Sequence, residues 1–228
     1  LRQILVSENG KVDKFSEVAA GMMKASIQSI QLAPDGVVTD IYPEKGNEAG
    51  KINLFHDKER GKISRYARDN HVLTLQGPFE MKQGGYGIAV RNPVYLQREN
   101  GSQYFWGFTI VIIRVPDIFQ NSMQALSDFG YQYRLSKNVS PWDDSYEVIY
   151  SSDGAITDPG CYTFVIGGCP WKLEVMPKDG WAYNRYLYAV AIGGILIILL
   201  LTGLTCALMI LSGHKKKFKR LAETDALT

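Results

Sequence analysis

Tyr186-Leu187-Tyr188-Ala189-Val190-Ala191-Ile192-Gly193-Gly194-Ile195-Leu196-Ile197-Ile198-Leu199-Leu200-Leu201 opens a run that reaches Gly213 without a formal charge. As a helix rising 1.5 Å per residue the run extends roughly 42 Å, enough to cross a hydrocarbon core of about 30 Å and enter both interfaces. Residues 186–213 are therefore read as a transmembrane helix. Its flanks give the orientation. Lys215, Lys216, Lys217, Lys219 and Arg220 follow it directly, whereas Trp181, Tyr183, Tyr186 and Tyr188 cluster at the other end like an interfacial aromatic belt. Residues 214–228 are expected in the cytoplasm as a juxtamembrane segment and the start of an output domain, and residues 1–185 outside.

The external part carries 20 basic and 21 acidic side chains. Near-neutrality gives a nucleic acid no electrostatic footprint, so none is expected as partner. The chain begins with Leu1 and shows no leader, so the expected parent has an upstream signal or first span. Of three cysteines, Cys206 lies in the span; Cys161 and Cys169 are external, where a disulfide or two free thiols are both open.

Upstream of the span the period changes several times. Asp13 is a candidate N-cap, and Phe15, Val18, Ala19, Met22, Met23 and Ile27 form a helical stripe. Residues 1–30 are read as a stalk with a long helix from about 13 to 30. Ile30–Ala33, Pro34-Asp35-Gly36 and Val37–Tyr42 read as a hairpin. A helix around Asp57–Asp69 follows, then strands at Val72–Phe79, Tyr86–Arg91 and Gln103–Val115. Residues 28–115 are thus expected to be a PAS-like antiparallel unit. Residues 116–182 supply a second: an amphipathic Pro116–Phe129, then strands at Tyr131–Leu135, Tyr146–Tyr150, Cys161–Ile166 and Trp171–Met176. The expected class is α+β, with a long N-terminal stalk helix, tandem PAS-like units and one C-terminal transmembrane helix.

No catalytic constellation is legible. His56 and His71 lack metal-protease spacing, no serine sits in a nucleophile elbow, and Gly84-Gly85 reads as a hairpin turn rather than a phosphate loop. Asp143-Asp144 reads as a surface turn, with calcium ligation the weaker alternative. No cofactor or metal is expected, and this chain is not expected to catalyse.

A pocket is more promising. Alternation in Tyr86–Arg91 puts Gly87, Ala89 and Arg91 on one face, small side chains beside one cation. A guanidinium lining such a space needs an anionic partner, and Tyr104, Trp106 and Phe108 supply aromatic walls. That describes an apolar cavity with one positive anchor, suited to a small carboxylate or a flat aromatic metabolite. Equally, Arg91 could pair with Asp40 or Glu80 while the aromatics fill an ordinary core.

Leu32-Ala33-Pro34-Asp35-Gly36-Val37-Val38, Tyr42-Pro43, Asn47-Glu48-Ala49-Gly50, Leu75-Gln76-Gly77-Pro78-Phe79 and Arg91-Asn92-Pro93-Val94-Tyr95 together resemble a CHASE domain, strongly over about residues 25–135. The resemblance implies an extracellular sensor of histidine kinases and cyclases, with ligand in the membrane-distal of two PAS-like units. It places pocket residues at Leu75 and Arg91, and with Tyr86 and the aromatics these form the candidate site. Where the plant cytokinin receptors of that family carry an adenine-binding carboxylate this chain has Asn53, and Arg91 replaces their small threonine, which favours an acidic metabolite over cytokinin. Leu221-Ala222-Glu223-Thr224-Asp225-Ala226-Leu227-Thr228 is similar to the opening of GGDEF domains. That implies a diguanylate cyclase parent and a homodimer; a histidine kinase output and a membrane-tethered protein-binding scaffold are the competing expectations.

Overall fold

The computed structural model describes residues 1–44, 50, 52–81, 83–181 and 185–225. Leu1–Gly180 form one compact unit and Trp181–Thr228 a second.

The first unit is built on two antiparallel sheets. Strands β1 (Ile27–Pro34), β2 (Asp40–Tyr42), β3 (Thr74–Glu80), β4 (Tyr86–Gln97) and β5 (Gln103–Val115) form a five-stranded sheet in the order β2-β1-β5-β4-β3. Strands β6 (Tyr131–Ser140), β7 (Asp143–Ser151), β8 (Gly160–Ile166) and β9 (Cys169–Pro177) form a second in the order β7-β6-β9-β8. The class is α+β.

The expected long stalk helix is absent. Its residues divide into α1 (Arg2–Ser7), α2 (Phe15–Met22) and the first strand. Asn9 and Gly10 take positive φ angles of 49° and 85°, turning the chain between the helices, and Met23 is extended at ψ 138°. Ile27 fits a helical stripe after Met23 and a strand before Ser29 equally well. Sequence periodicity could not separate the two, and pairing of β1 with both β2 and β5 decides for strand.

Alternation along the strands divides the five-stranded sheet into two faces. On one, Ile30, Leu32, Val94 and Leu96 pack against Leu5, Phe15 and Ala19 of α1 and α2. Farther along that face Leu75, Ile88 and Val115 join Met123 of α4 (Gln120–Asp128) and Tyr133, Leu135 and Trp171 of the second sheet in a shared core. On the opposite face Ala33, Phe108 and Ile110 pack with Val38, Ile41, Leu54 and Ala67, the last on α3 (Gly61–Asp69).

Two local irregularities position the site. Between Val94 and Tyr95 the β4–β5 ladder slips: Val94 pairs with Gly107 and Tyr95 with Phe105, so Trp106 is an extra, bulged residue. Gly107 makes this possible, because a Cβ there would lie 2.2 Å from the Ala33 carbonyl oxygen, at a φ of 154°. Secondly, β3 begins at Thr74 opposite Arg91, so from Asn92 onward β4 is flanked by β5 alone. Pro93, lacking an N–H, is tolerated where one side of the strand is open.

The second unit is α5 (Arg185–Asp225). Within it Tyr186–Lys219 is long and apolar enough to cross a membrane. Ile195, Leu200 and Leu208 are all more than half exposed, a surface that water disfavours and lipid accepts. Of the readings made above, Asn47-Glu48-Ala49, the link 182–184 and the last three residues of the GGDEF-like tail lie outside the described residues.

Candidate ligand-binding site

A cavity of about 490 Å³ lies on the sheet face opposite the shared core. Its floor is Gln31 of β1, Ile41 of β2, Ala89 and Arg91 of β4, and Ile110 and Ile112 of β5. Val38, Ile52, Leu54 and Arg60 form one wall; Phe79, Glu80, Met81 and Gln83, around the β3–β4 turn, form another.

Arg91 dominates its chemistry. The residue is 2% exposed, yet its Nε and Nη1 have no hydrogen-bond partner. Asp40 instead accepts from the Thr39 hydroxyl at 2.6 Å, and Glu80 makes no bond to Arg91. The self-contained ion pair considered from sequence is therefore absent among the described residues. Burial, aided by the nearby Arg60 guanidinium and opposed by Asp57, pushes Arg91 down to about 10. It remains a cation at neutral pH. A buried cation with free donors costs several kcal/mol of desolvation unless something anionic or strongly accepting meets it.

Other polar groups on α3 and β3 also lack partners. Thr74, directly across the ladder, and Ser64 on α3 are buried with unmet hydroxyls, and Gln76 has an unmet Oε1. Five of the seven unmet buried atoms among the described residues thus sit on α3, β3 and β4. In a folded chain such groups are normally satisfied by water or ligand.

Arg60 enters from the start of α3. Its Nη1 donates to Asp57 Oδ2 at 2.6 Å, while Asp57 Oδ1 accepts from the backbone N–H groups of Glu59 and Arg60. Partial burial is the largest single effect on the Asp57 carboxyl and pushes it up, but those bonds and the Arg60 charge together outweigh it and hold the group below its ordinary value.

Of the seven candidate ligand residues only Arg91 lines this cavity. Leu75 pairs with Val90 and faces the shared core, on the side of the sheet opposite Arg91. Tyr86 is 56% exposed at the start of β4. The bulge separates the aromatics: Tyr104 and Trp106 pack against the N-terminal helices, while Phe108 turns to the cavity side and meets Phe105 at 5.0 Å and Phe55 at 5.8 Å. Phe108 sits in the core beside the cavity rather than in its lining. Asn53 is a turn residue whose Oδ1 accepts from the N–H groups of Phe55 and His56. Sequence reasoning missed Arg60 and the aliphatic wall of Val38, Ile52 and Leu54, which long-range folding of the 50–60 segment brings together.

The possible disulfide does not form. Ile166 pairs with Cys169 at the β8–β9 turn, whereas Cys161 pairs with Glu174 five ladder positions away. At about 3.3 Å per residue the separation is far beyond what a disulfide spans. The remaining sequence candidates also have local roles. His71 stacks on Tyr95 at 4.1 Å, Gly84 and Gly85 close the β3–β4 turn, and Asp143 Oδ1 accepts from the Ser145 N–H. Among the described residues no group of three or more His, Cys, Asp or Glu could hold a metal ion.

Residues 10–144, more than half of the chain, match the family model described as CHASE domain. The chain belongs to the CHASE domain family. It is accordingly an extracellular ligand-binding sensor domain with one candidate membrane-spanning helix. No curated protein matches it. Among solved structures it is similar to an extracellular ligand binding receptor from Desulfohalobium retbaense DSM5692, at 14% identity and a TM-score of 0.52, covering 76% of this chain and 35% of that one. The CHASE chain thus spans about a third of that receptor, and the likeness is one of fold. It is also similar to the ligand-binding domain of the Pseudomonas aeruginosa PAO1 amino acid chemoreceptor PctC in complex with GABA, at 12% identity and a TM-score of 0.47, covering 76% and 86%.

Proposed function

We propose that this CHASE chain is the sensing half of a membrane-anchored homodimeric receptor that binds a small carboxylate-bearing metabolite in the Arg91 cavity. The carrying observation is the Arg91 guanidinium, 2% exposed, with two unpartnered nitrogens in the lining of a 490 Å³ space. Small-molecule sites commonly span about 300–1,000 Å³ and combine apolar walls with few polar anchors. An anion at Arg91 replaces the lost hydration with charge-assisted hydrogen bonds. The aromatic side chains that favoured a flat ligand lie mostly elsewhere, so the aliphatic walls favour a carboxylate with an aliphatic body.

In this reading residues 28–115 are the membrane-distal ligand-binding unit and residues 116–182 the membrane-proximal one. Binding shifts the first unit, the shift passes through the second to residues 181–185 and the span, and the pairing of two cytoplasmic diguanylate cyclase domains changes. The similarity of the tail to GGDEF openings is the support for that output. The shift can be no larger than the ligand's differential affinity for the two states.

The test is calorimetric titration of the detergent-solubilised chain with aliphatic monocarboxylates and dicarboxylates. Saturable binding by wild type that Arg91→Gln removes supports the reading. An absence of binding across both series, in a chain shown to be folded by circular dichroism, counts against it.

A further inference from the structure

The cavity holds a second guanidinium that the single-anchor reading does not use. Arg60 and Arg91 line the same space, one on its wall and one on its floor. Asp57 engages one Arg60 nitrogen, Nη1, and no other hydrogen bond of the Arg60 side chain occurs among the described residues. A guanidinium has five N–H donors and two edges, so a carboxylate on one edge leaves the other able to take a second. Side-chain exposures of 35% for Arg60 and 27% for Asp57 leave the pair open to a competing anion.

Ile41, Ile110 and Ile112, with Ala89 leaving room above β4, give the floor an aliphatic part beside the polar Ser29 and Gln31 of β1. At Arg91 the Arg60 charge outweighs that of Asp57. Glu80 is the one acidic side chain among the described lining residues, and it lies exposed at the end of β3.

The geometry points to a dianion: the site takes an aliphatic dicarboxylate, one carboxylate on Arg91 and the other on the free edge of Arg60. Arg60 is then the specificity-determining residue that separates dicarboxylates from monocarboxylates. This rests on the Arg91 cavity being the ligand site, and it adds both the second contact and the ligand class.

Matched straight-chain monocarboxylates and α,ω-dicarboxylates of graded length, titrated calorimetrically into the detergent-solubilised full chain, test it. Wild type is expected to bind dicarboxylates of one favoured length about tenfold tighter than the matching monocarboxylates. Arg60→Gln is expected to weaken dicarboxylates much more than monocarboxylates and so remove that advantage, and Arg91→Gln to weaken both series. Asp57→Asn, which keeps a side-chain oxygen to cap α3 but frees Arg60, is expected to tighten dicarboxylates more than monocarboxylates. Equal affinity for the two series, or equal losses in both on Arg60→Gln, overturns the dicarboxylate assignment and leaves the Arg91 site standing. Failure of both series to bind wild type overturns the site itself.

Discussion

Thr74 lies directly across the β3–β4 ladder from Arg91; the two are 3% and 2% exposed, and each carries polar atoms that no neighbour meets. An unmet pair of this kind, with Arg91 in the lining of a cavity, stores instability that a ligand can relieve. Arg91→Leu is therefore expected to raise the unfolding midpoint of the ligand-free chain while removing binding. The gain is on the order of 1–3 kcal/mol, the range for relieving an unsatisfied buried polar group. Urea unfolding of the variant beside wild type checks the sign.

Gly107→Ala tests the bulge. Its Cβ would meet the Ala33 carbonyl oxygen at 2.2 Å, and the other two nearest atoms are also β1 backbone, which leaves nothing flexible to yield. A loss of about 2–4 kcal/mol is expected, in the upper range for single substitutions. Gly101→Ala, with no atom within 4 Å of the added Cβ, carries only the strain of its φ of 77° and should cost about 1 kcal/mol. Similar midpoints for the two variants would contradict the close β1–β5 approach.

Glu174 on β9 gives the second sheet a pH dependence. Arg134 donates to its two oxygens at 2.7 and 3.1 Å, and these bonds hold the Glu174 carboxyl below its ordinary 4.5 although burial opposes them. A depressed folded value means the stabilisation is fully present above pH 4.5 and is lost as pH falls through the folded value. Glu174→Gln should flatten stability against pH in that acid window and leave the neutral-to-alkaline limb unchanged. Denaturation midpoints measured across both ranges decide it.

Thiol chemistry checks the β8–β9 register. Cys161 is exposed, while burial pushes the half-buried Cys169 thiol up and lowers its thiolate fraction. Maleimide should label Cys161 quickly and Cys169 slowly under non-reducing conditions. A peptide mass showing the two joined would refute the register.

Much of the fold was legible because strand alternation and turn residues are local signals. The limits of β5 and the starts of β4 and β6 coincide with the segments read from periodicity, and Gly84-Gly85 marks its turn. The stalk was misread because Ile27 satisfies both periods, and only the partners β2 and β5 choose between them. Arg91 was legible in the site because a cation among Gly87 and Ala89 is conspicuous. Tyr104 and Trp106 were misplaced because a one-residue bulge inverts the faces before Gly107, where the carbonyl of Ala33, some 70 residues away in sequence, comes close. Leu75 illustrates the same limit: its β3 face is set by pairing with Val90, which local sequence does not reveal.

Strand β4 serves two masters one residue apart. Ala89 and Arg91 line the cavity, and Ile88 and Val90 enter the core shared with the second sheet. A lineage adapting to a new nutrient by altering this strand would disturb the joint between the sheets with the same substitution. On the wall, Leu54 and Ile52 also belong to the core with Val38 and Phe108, whereas Arg60 is partly exposed and outside it. For a ligand held in this cavity, exchange of Arg60 is therefore the change of preference that disturbs the packing least.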